Sequence, residues 1–306
     1  MNFTDLFNLQ IMMFLMMGIG YFLRKREIIN TAGKLVMTDL VIDIILPCNI
    51  VSSFCIEFSH KILMQGLSIF IISCVNQAFC AILAFNIYKK FPKEKRMVLQ
   101  YGTICSNAGF LGNPVAEGIY GPIGLLYASI YLIPQRTVMW SAGVSFFTES
   151  PDKKTLFKKV ATHPCIVAVY IGAALMITQF QLPAFLSKTI DSIGGCTTAI
   201  TMMLIGAILA EADLKTMVTK VTAAFSVLRL LLIPAIVLIG CRLAGVSALV
   251  AGLSTILAAM PAGTTTAILA VKYNGDEEFA TKCVVLTTLL SMIMIPVWCV
   301  IINTIY

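Results

Sequence analysis

The sequence predicts an all-α polytopic membrane protein, and three features of the 306-residue chain support that prediction. First, 58% of the residues are hydrophobic and only 12% are charged, whereas a soluble domain carries about a quarter charged residues because its surface must face water. Second, the apolar residues form runs of about 18 or more, the length that a helix needs to cross a bilayer. Third, the basic residues behind the net charge of +7 lie mostly between these runs, as in cytoplasmic loops of membrane proteins. The positive charge therefore requires no nucleic-acid partner.

The apolar runs predict ten membrane spans. The first run is a retained span and not a signal peptide, because Asp5 precedes it and the basic residues Arg24–Arg26 follow it, whereas a signal peptide has its positive charge first. This arrangement places the N-terminus outside. The ten spans are Leu6–Leu23, Leu35–Phe54, Ile62–Tyr88, Val98–Ile119, Ile123–Phe147, Val160–Phe180, Gly194–Ala210, Val221–Leu243, Ala248–Val271 and Phe279–Ile305.

The distribution of charge supports this count of spans. With the N-terminus outside, the five cytoplasmic loops contain 17 Lys and Arg residues and the external loops contain 3, which follows the positive-inside rule. Ten spans bring both termini to the extracytoplasmic side of a cell (inner or plasma) membrane. The two remaining basic residues, Arg136 and Arg229, fall within spans.

The chain divides into two halves of five spans each. Residues 1–147 form the first predicted repeat, 148–159 a polar cytoplasmic linker and 160–306 the second repeat. Because each half has an odd number of spans, the halves have opposite orientations, which is the inverted-repeat plan of many secondary transporters. The halves also share a pattern: Pro114 interrupts the fourth span and Pro261 interrupts the ninth, 147 residues later.

These two interruptions predict a binding site. The segment Ser106–Pro114 contains two glycines, two asparagines and a proline, and Thr264 and Thr265 follow Pro261 in the ninth span. Proline breaks or kinks a helix, and unwound backbone at membrane depth is tolerated only where it is buried in protein or lines a wet cavity. The N-terminal ends of half-helices carry positive partial charge that can hold an anion. An ordinary proline kink explains one such site, but two in equivalent positions favour a binding site.

At these segments the sequence resembles the auxin efflux carrier family, which includes plant PIN-type auxin carriers and bacterial permeases described as malate or malonate transporters. The resemblance covers the whole chain and implies ten helices in a fold similar to that of bile-acid symporters. Spans 1, 2, 6 and 7 would form a scaffold, and spans 3–5 and 8–10 a transport domain. It also implies a homodimer formed through the scaffold and an elevator-like motion. The residues that carry it are Ser106–Pro114, Ile119–Gly121, Met260–Gly263, Lys272–Asn274, Leu46–Pro47, His163–Pro164, Ile205–Ala207 and Leu228–Leu230.

The resemblance also implies site residues. The two broken helices would cross at Pro114 and Pro261, with the substrate beside the crossing. Asn107 matches an asparagine that contacts the substrate carboxylate in plant members, and Gln135 matches a glutamine of the fifth span. Asn113 stands where plant carriers usually have isoleucine, which argues against auxin itself as the substrate.

Charged residues within spans have alternative roles. Arg136 either binds an anionic substrate, since arginine makes bidentate contacts with carboxylates, or pairs with a carboxylate such as Glu117. Arg229 is predicted to be structural, held by a carboxylate or by backbone carbonyls. Asp43 either pairs with an arginine or carries a proton, and Glu117 is a second candidate for proton coupling.

The function predicted from these features is secondary transport of a small organic anion, a mono- or dicarboxylate. The alternatives are a carrier or exporter of a neutral or zwitterionic solute such as an amino acid, and a channel or sensory membrane protein. The sequence contains no GxSxG, HExxH or paired catalytic aspartates, so an enzyme is not expected. The ten cysteines form no CxxC pair, and neither a metal nor a cofactor is predicted. Coupling to protons, coupling to sodium and uniport all remain open.

Overall fold

The computed structural model describes residues 3–57, 59–139, 161–211, 216–272 and 275–306. In these ranges the chain is helical, and the only extended pairing is an isolated antiparallel bridge between Ser106 and Ala262. The predicted linker 148–159 and the pair Tyr273–Asn274 lie outside the described residues. The helices are α1 Phe3–Lys25, α2 Thr31–Phe54, α3 His60–Ile87, α4 Lys93–Ile104, α5 Ala108–Val138, α6 Pro164–Thr178, α7 Ala184–Leu209, α8 Lys220–Leu243, α9 Ala248–Ala258, α10 Thr265–Lys272 and α11 Glu277–Ile305.

Six of the described helices, α2, α3, α5, α7, α8 and α11, are long and apolar enough to cross a bilayer, and α6 and α9 are shorter apolar helices. Large apolar side chains remain exposed on their surfaces, including Val75, Ile177, Ile239 and Ile293. A soluble monomer rarely exposes large contiguous apolar patches. A surface of this kind is suited to lipid, as the composition predicts.

The helices follow the predicted spans with informative differences. Gly121 has a left-handed φ of 68° inside α5 and therefore separates spans four and five where Tyr120–Gly121 predicted a boundary, since glycine adopts this conformation without strain. The helix that covers the seventh predicted span begins at Ala184, whereas the span was predicted to begin at Gly194. Lys188 and Asp191 made its first turns look like a loop, but these turns are helical and carry their polar residues on an exposed face.

The described residues fall into two units, each with dense internal packing. Unit A comprises the described residues of Met1–Gly66, Asn113–Ile130 and Ala161–Glu211, and unit B those of Leu67–Gly112, Tyr131–Val160 and Ala212–Tyr306. This division concerns packing in space, whereas the predicted domains at 1–147 and 160–306 concern repeats along the chain. The predicted repeat boundaries stay a prediction.

Glycines allow the helices of unit A to approach closely. In α1, a Cβ atom at Gly20 would lie 2.0 Å from the carbonyl oxygen of Met203 in α7, and one at Gly206 would lie 1.9 Å from that of Met17. Similarly, a Cβ atom at Gly172 in α6 would lie 2.7 Å from the ring of Phe54 in α2. Helix α1 therefore packs on α7 and helix α2 on α6, backbone against backbone in the first case.

In unit B, α11 packs against α4, α8, α9 and α10. Its Trp298 donates a hydrogen bond from Nε1 to the carbonyl oxygen of Leu230, at 2.8 Å. The remainder of α5 is held by α3, because Ser73 Oγ donates to the carbonyl oxygen of Tyr131 at 2.6 Å and Asn76 Nδ2 donates to its hydroxyl at 2.9 Å. These contacts surround the interrupted helices that form the candidate site.

Candidate substrate site at the helix crossing

Two interrupted helices meet in unit B and pair through their backbones. Helix α4 ends at Ile104 and α5 begins at Ala108, while α9 ends at Ala258 and α10 begins at Thr265. Across the two gaps, the amide of Asn107 donates to the carbonyl oxygen of Pro261 at 2.8 Å, and the amide of Gly263 donates to that of Cys105 at 2.9 Å. Each interruption thus provides one backbone amide and one carbonyl oxygen that bond the other, where neither group has a partner within its own helix.

The pairing is not centred on the two prolines of the sequence pattern. Asn107 pairs with Pro261 and Gly263 pairs with Cys105, so the two hydrogen bonds are related by a spacing of 156 residues, as from Ser106 to Ala262. The sequence pattern instead aligned the two prolines, Pro114 and Pro261, at a spacing of 147. The crossing is centred on Ser106 and Ala262, whereas Pro114 lies inside α5, just after the π-helical turn Ala108–Gly112 with which this helix begins.

Polar side chains from the following helices hold both paired segments in place. Gln135 of α5 forms two hydrogen bonds with Ser106: it accepts from Oγ at 2.9 Å and donates from Nε2 to the carbonyl oxygen at 2.7 Å. Thr287 of α11 accepts a hydrogen bond from the amide of Ala262 at 3.2 Å. Gln135 therefore positions the crossing with both of its polar atoms.

Asn107 and Arg136 carry buried donors that have no protein partner. Asn107 is 3% exposed and Arg136 is 7% exposed, and neither Asn107 Nδ2 nor Arg136 Nη1 has a hydrogen-bond partner. The guanidinium lies at the start of α5, since a Cβ atom at Gly109 would be 3.8 Å from Arg136 Nη2. Because the first amides of a helix also lack intrahelical partners, this end of α5 gathers several donors and a positive charge.

The start of α10 contributes hydroxyl groups. Thr265 Oγ1 accepts a hydrogen bond from Tyr101 at 3.1 Å, and Thr264 is half-buried. Thr266, which the sequence analysis did not select, is fully buried and its hydroxyl oxygen has no partner. The two predicted threonines therefore follow the crossing directly, as expected.

The other predicted residues lie elsewhere. Asn113, Pro114, Glu117 and Asp43 belong to unit A. Asn113 is fully buried with both side-chain polar atoms unpartnered, and Glu117 accepts a hydrogen bond from Asn49 Nδ2 at 3.1 Å. Asp43 is exposed. None of the ion pairs among the described residues includes Glu117, Asp43 or Arg136.

Comparison with known proteins decides the family. A family model described as "Membrane transport protein" matches residues 6–162 and 153–299 of the chain. The chain belongs to this membrane transport protein family. Together with the long apolar helices, this membership identifies a multi-pass membrane transporter, a kind of protein that is not typically an enzyme.

Several proteins with curated descriptions are similar to this member of the family. An "Uncharacterized transporter" of Methanocaldococcus jannaschii is 25% identical over 288 residues, covering 92% of this chain and 93% of the relative. A second "Uncharacterized transporter", from Methanothermobacter thermautotrophicus, is 25% identical over 297 residues, covering 92% and 94%. A Rhizobium meliloti protein named "Putative malonate transporter" is 21% identical over 224 residues, covering 70% of each chain.

Three residues of the crossing were missed by the sequence analysis. Ser106, Thr287 and Tyr101 each hold one of the interrupted segments. Ser106 lies inside the segment that the sequence singled out, so its position next to Asn107 was the available signal. Thr287 and Tyr101 lie in regular helices, and nothing in their local sequence distinguishes them from residues that only pack.

Proposed function

We propose that this transporter is a secondary carrier of a small organic anion, a mono- or dicarboxylate, which binds beside the crossing in unit B. The observation that carries the proposal is the pair of buried, unpartnered donors on Asn107 and Arg136 next to the start of α5. A buried donor without a partner costs about 1–3 kcal/mol, and more when the group is charged. A carboxylate would accept hydrogen bonds from both groups.

The charge of Arg136 favours an anionic ligand over a neutral one. Ionisable side chains within membrane spans are costly and normally face a partner or a wet cavity. The carboxylate named as its alternative partner, Glu117, is bonded to Asn49, and Arg136 takes part in none of the ion pairs of the described residues. A relative named as a malonate transporter agrees with a carboxylate substrate. A zwitterionic amino acid also presents a carboxylate and is the second candidate.

We also propose the complete fold, which has ten spans in two inverted repeats and crossing fourth and ninth helices. Packing in unit A supports it, because α1 packs on α7 and α2 packs on α6. If spans one and two correspond to spans six and seven, a contact between spans one and seven requires a matching contact between spans six and two.

The mechanism proposed is elevator-type alternating access in a homodimer, with both chain termini outside the cell membrane. The homodimer and the elevator-type motion come from the family resemblance, and the position of the termini comes from the distribution of basic residues between the spans. Gln135 positions Ser106 in this proposal, while Asn107, Arg136, Thr264 and Thr265 contact the substrate beside Pro261. Asn113 and Pro114 stay predicted substrate contacts.

Counterflow in proteoliposomes tests this function. Vesicles loaded with an unlabelled mono- or dicarboxylate should accumulate the labelled compound, and the rate should saturate with concentration. The variant Arg136→Gln should raise the half-saturating concentration at least tenfold, whereas the exposed Arg242→Gln should behave as wild type. Flux without saturation or counterflow would indicate a channel, and counterflow with amino acids alone would favour the second candidate.

Proton coupling by Asp43 and Glu117 is tested in the same vesicles. Uptake should respond to an imposed pH gradient, and the response should be lost in the double variant Asp43→Asn, Glu117→Gln. A double variant that responds as wild type does would exclude both carboxylates from coupling. A response to a sodium gradient instead would identify sodium as the coupling ion.

A further inference from the structure

Arg229 is a second buried cation of unit B, and no carboxylate among the described residues forms an ion pair with it. It lies in α8 within a π-helical turn, Leu228–Leu232, and is 2% exposed. Both Nε and Nη1 are buried without a hydrogen-bond partner. The sequence predicted either a carboxylate or backbone carbonyls as partners of Arg229, and none of the ion pairs among the described residues includes it.

Among the described residues, the groups that act electrostatically on Arg229 include no carboxylate. They are two thiols and two phenols, those of Cys80, Cys105, Tyr88 and Tyr131. The hydroxyl of Tyr131 accepts a hydrogen bond from Asn76 Nδ2 at 2.9 Å.

An uncompensated guanidinium in this position is unfavourable in every state of the protein. Arginine remains protonated in proteins, and a buried charge without a partner is strongly destabilising. The transported substrate cannot be the permanent counter-ion of Arg229, because it is absent during part of the transport cycle. The empty carrier would then contain an uncompensated guanidinium. Arg136 differs, because only one of its nitrogens is buried without a partner and it lies at the interrupted segment itself.

We propose that Arg229 binds a resident small inorganic anion, of the size and charge of chloride, through its unpartnered Nε and Nη1. A single negative charge balances the single positive charge, whereas a doubly charged oxyanion would leave an excess. A small ion is favoured because the surrounding Cys80, Cys105 and Tyr131 are each no more than 1% exposed. This site adjoins the crossing, because Cys105 also accepts the hydrogen bond from Gly263 there. It uses a different arginine from the proposed substrate site and does not depend on the identity of the substrate.

The test is equilibrium dialysis of the purified protein against radioactive chloride, with gluconate maintaining the ionic strength and no carboxylate substrate present. The wild type should bind one chloride per chain, and chloride should raise its melting temperature in a saturable manner. Arg229→Gln should abolish both effects. Arg242→Gln is the matched control, since Arg242 lies in the same helix but is exposed beside the ring of Tyr306, and it should bind chloride as wild type does.

Three results would overturn the proposal. The first is a wild type that binds no chloride, a result that holds even if Arg229→Gln fails to fold. The second is unchanged chloride binding by Arg229→Gln. The third is displacement of the chloride by a carboxylate whose own binding is lost in Arg229→Gln, because Arg229 would then belong to the substrate site. None of these results depends on whether Arg136 binds the substrate, so the two sites are tested separately.

Discussion

The amide of Gly263 donates a hydrogen bond to the carbonyl oxygen of Cys105 at 2.9 Å, and together with the bond from Asn107 to Pro261 it joins the two interrupted helices of unit B. Neither bond uses a side chain. The interruptions are therefore stabilised by each other's backbone, and the crossing should form or fail as one unit.

The first prediction concerns close packing at Gly263. A Cβ atom there would lie 3.1 Å from the carbonyl oxygen of Cys105 and 3.2 Å from Thr265 Oγ1. We expect Gly263→Val to force the paired segments apart and to lower the free energy of unfolding by about 1–3 kcal/mol, the usual cost of overpacking. Thermal unfolding in detergent measures this change.

Gly240→Val is the control for that variant. Gly240 is exposed in α8 with open space around its Cβ position, so the same substitution there should leave the melting temperature nearly unchanged. Equal effects of the two variants would mean that close contact at the crossing is not the cause.

The second prediction concerns the tether between Gln135 and Ser106. Gln135→Ala removes both hydrogen bonds and leaves the carbonyl oxygen of Ser106 buried without its partner, which costs about 1–3 kcal/mol. Ser106→Ala removes only the bond from Oγ and should cost about 1 kcal/mol. Thermal unfolding of both variants should therefore rank Gln135→Ala as the less stable, and the reverse order would exclude the tether as the explanation.

The third prediction concerns the packing of α1 on α7. A Cβ atom at Gly20 would lie 2.0 Å from the carbonyl oxygen of Met203, which no side-chain movement relieves, so Gly20→Ala should sharply reduce the yield of folded protein. At Gly18, in the same helix, nothing lies within 4 Å of the Cβ position. Gly18→Ala should fold normally. Fluorescence-detected size-exclusion chromatography compares the two, and similar profiles would contradict the close contact.

Much of this architecture could be predicted because a helix that crosses a bilayer requires a long apolar run, and such runs are visible in the sequence. The long apolar runs became helices, and the boundary at Gly121 followed from a residue that tolerates a left-handed conformation. Pro261 correctly marked one interruption. Pro114 marked the other only approximately, because it lies inside α5 after the π-helical turn Ala108–Gly112, and helices accommodate an irregularity of this kind.

The contacts of the crossing could not be predicted in the same way. Backbone hydrogen bonds such as that from Asn107 to Pro261 leave no side-chain pattern in the sequence. The partners of Arg136 and Arg229 depend on which helices become neighbours. The sequence could therefore suggest a carboxylate such as Glu117 as a partner, but it could not show whether the arginine pairs with it or binds a ligand. Gln135 matched a substrate residue of the family, whereas its polar atoms bond Ser106 in this structure.

The most direct test of the central claim, an anion site formed by Asn107 and Arg136, is the thermal stability of the purified protein with a panel of carboxylates, amino acids and indole acids. A ligand that binds the folded state raises the melting temperature by mass action. We expect a carboxylate to stabilise the wild type and the exposed controls Asn86→Ala and Arg242→Gln, and to have no effect on Asn107→Ala or Arg136→Gln. Stabilisation that persists in both site variants, or stabilisation by neutral compounds alone, would contradict the claim.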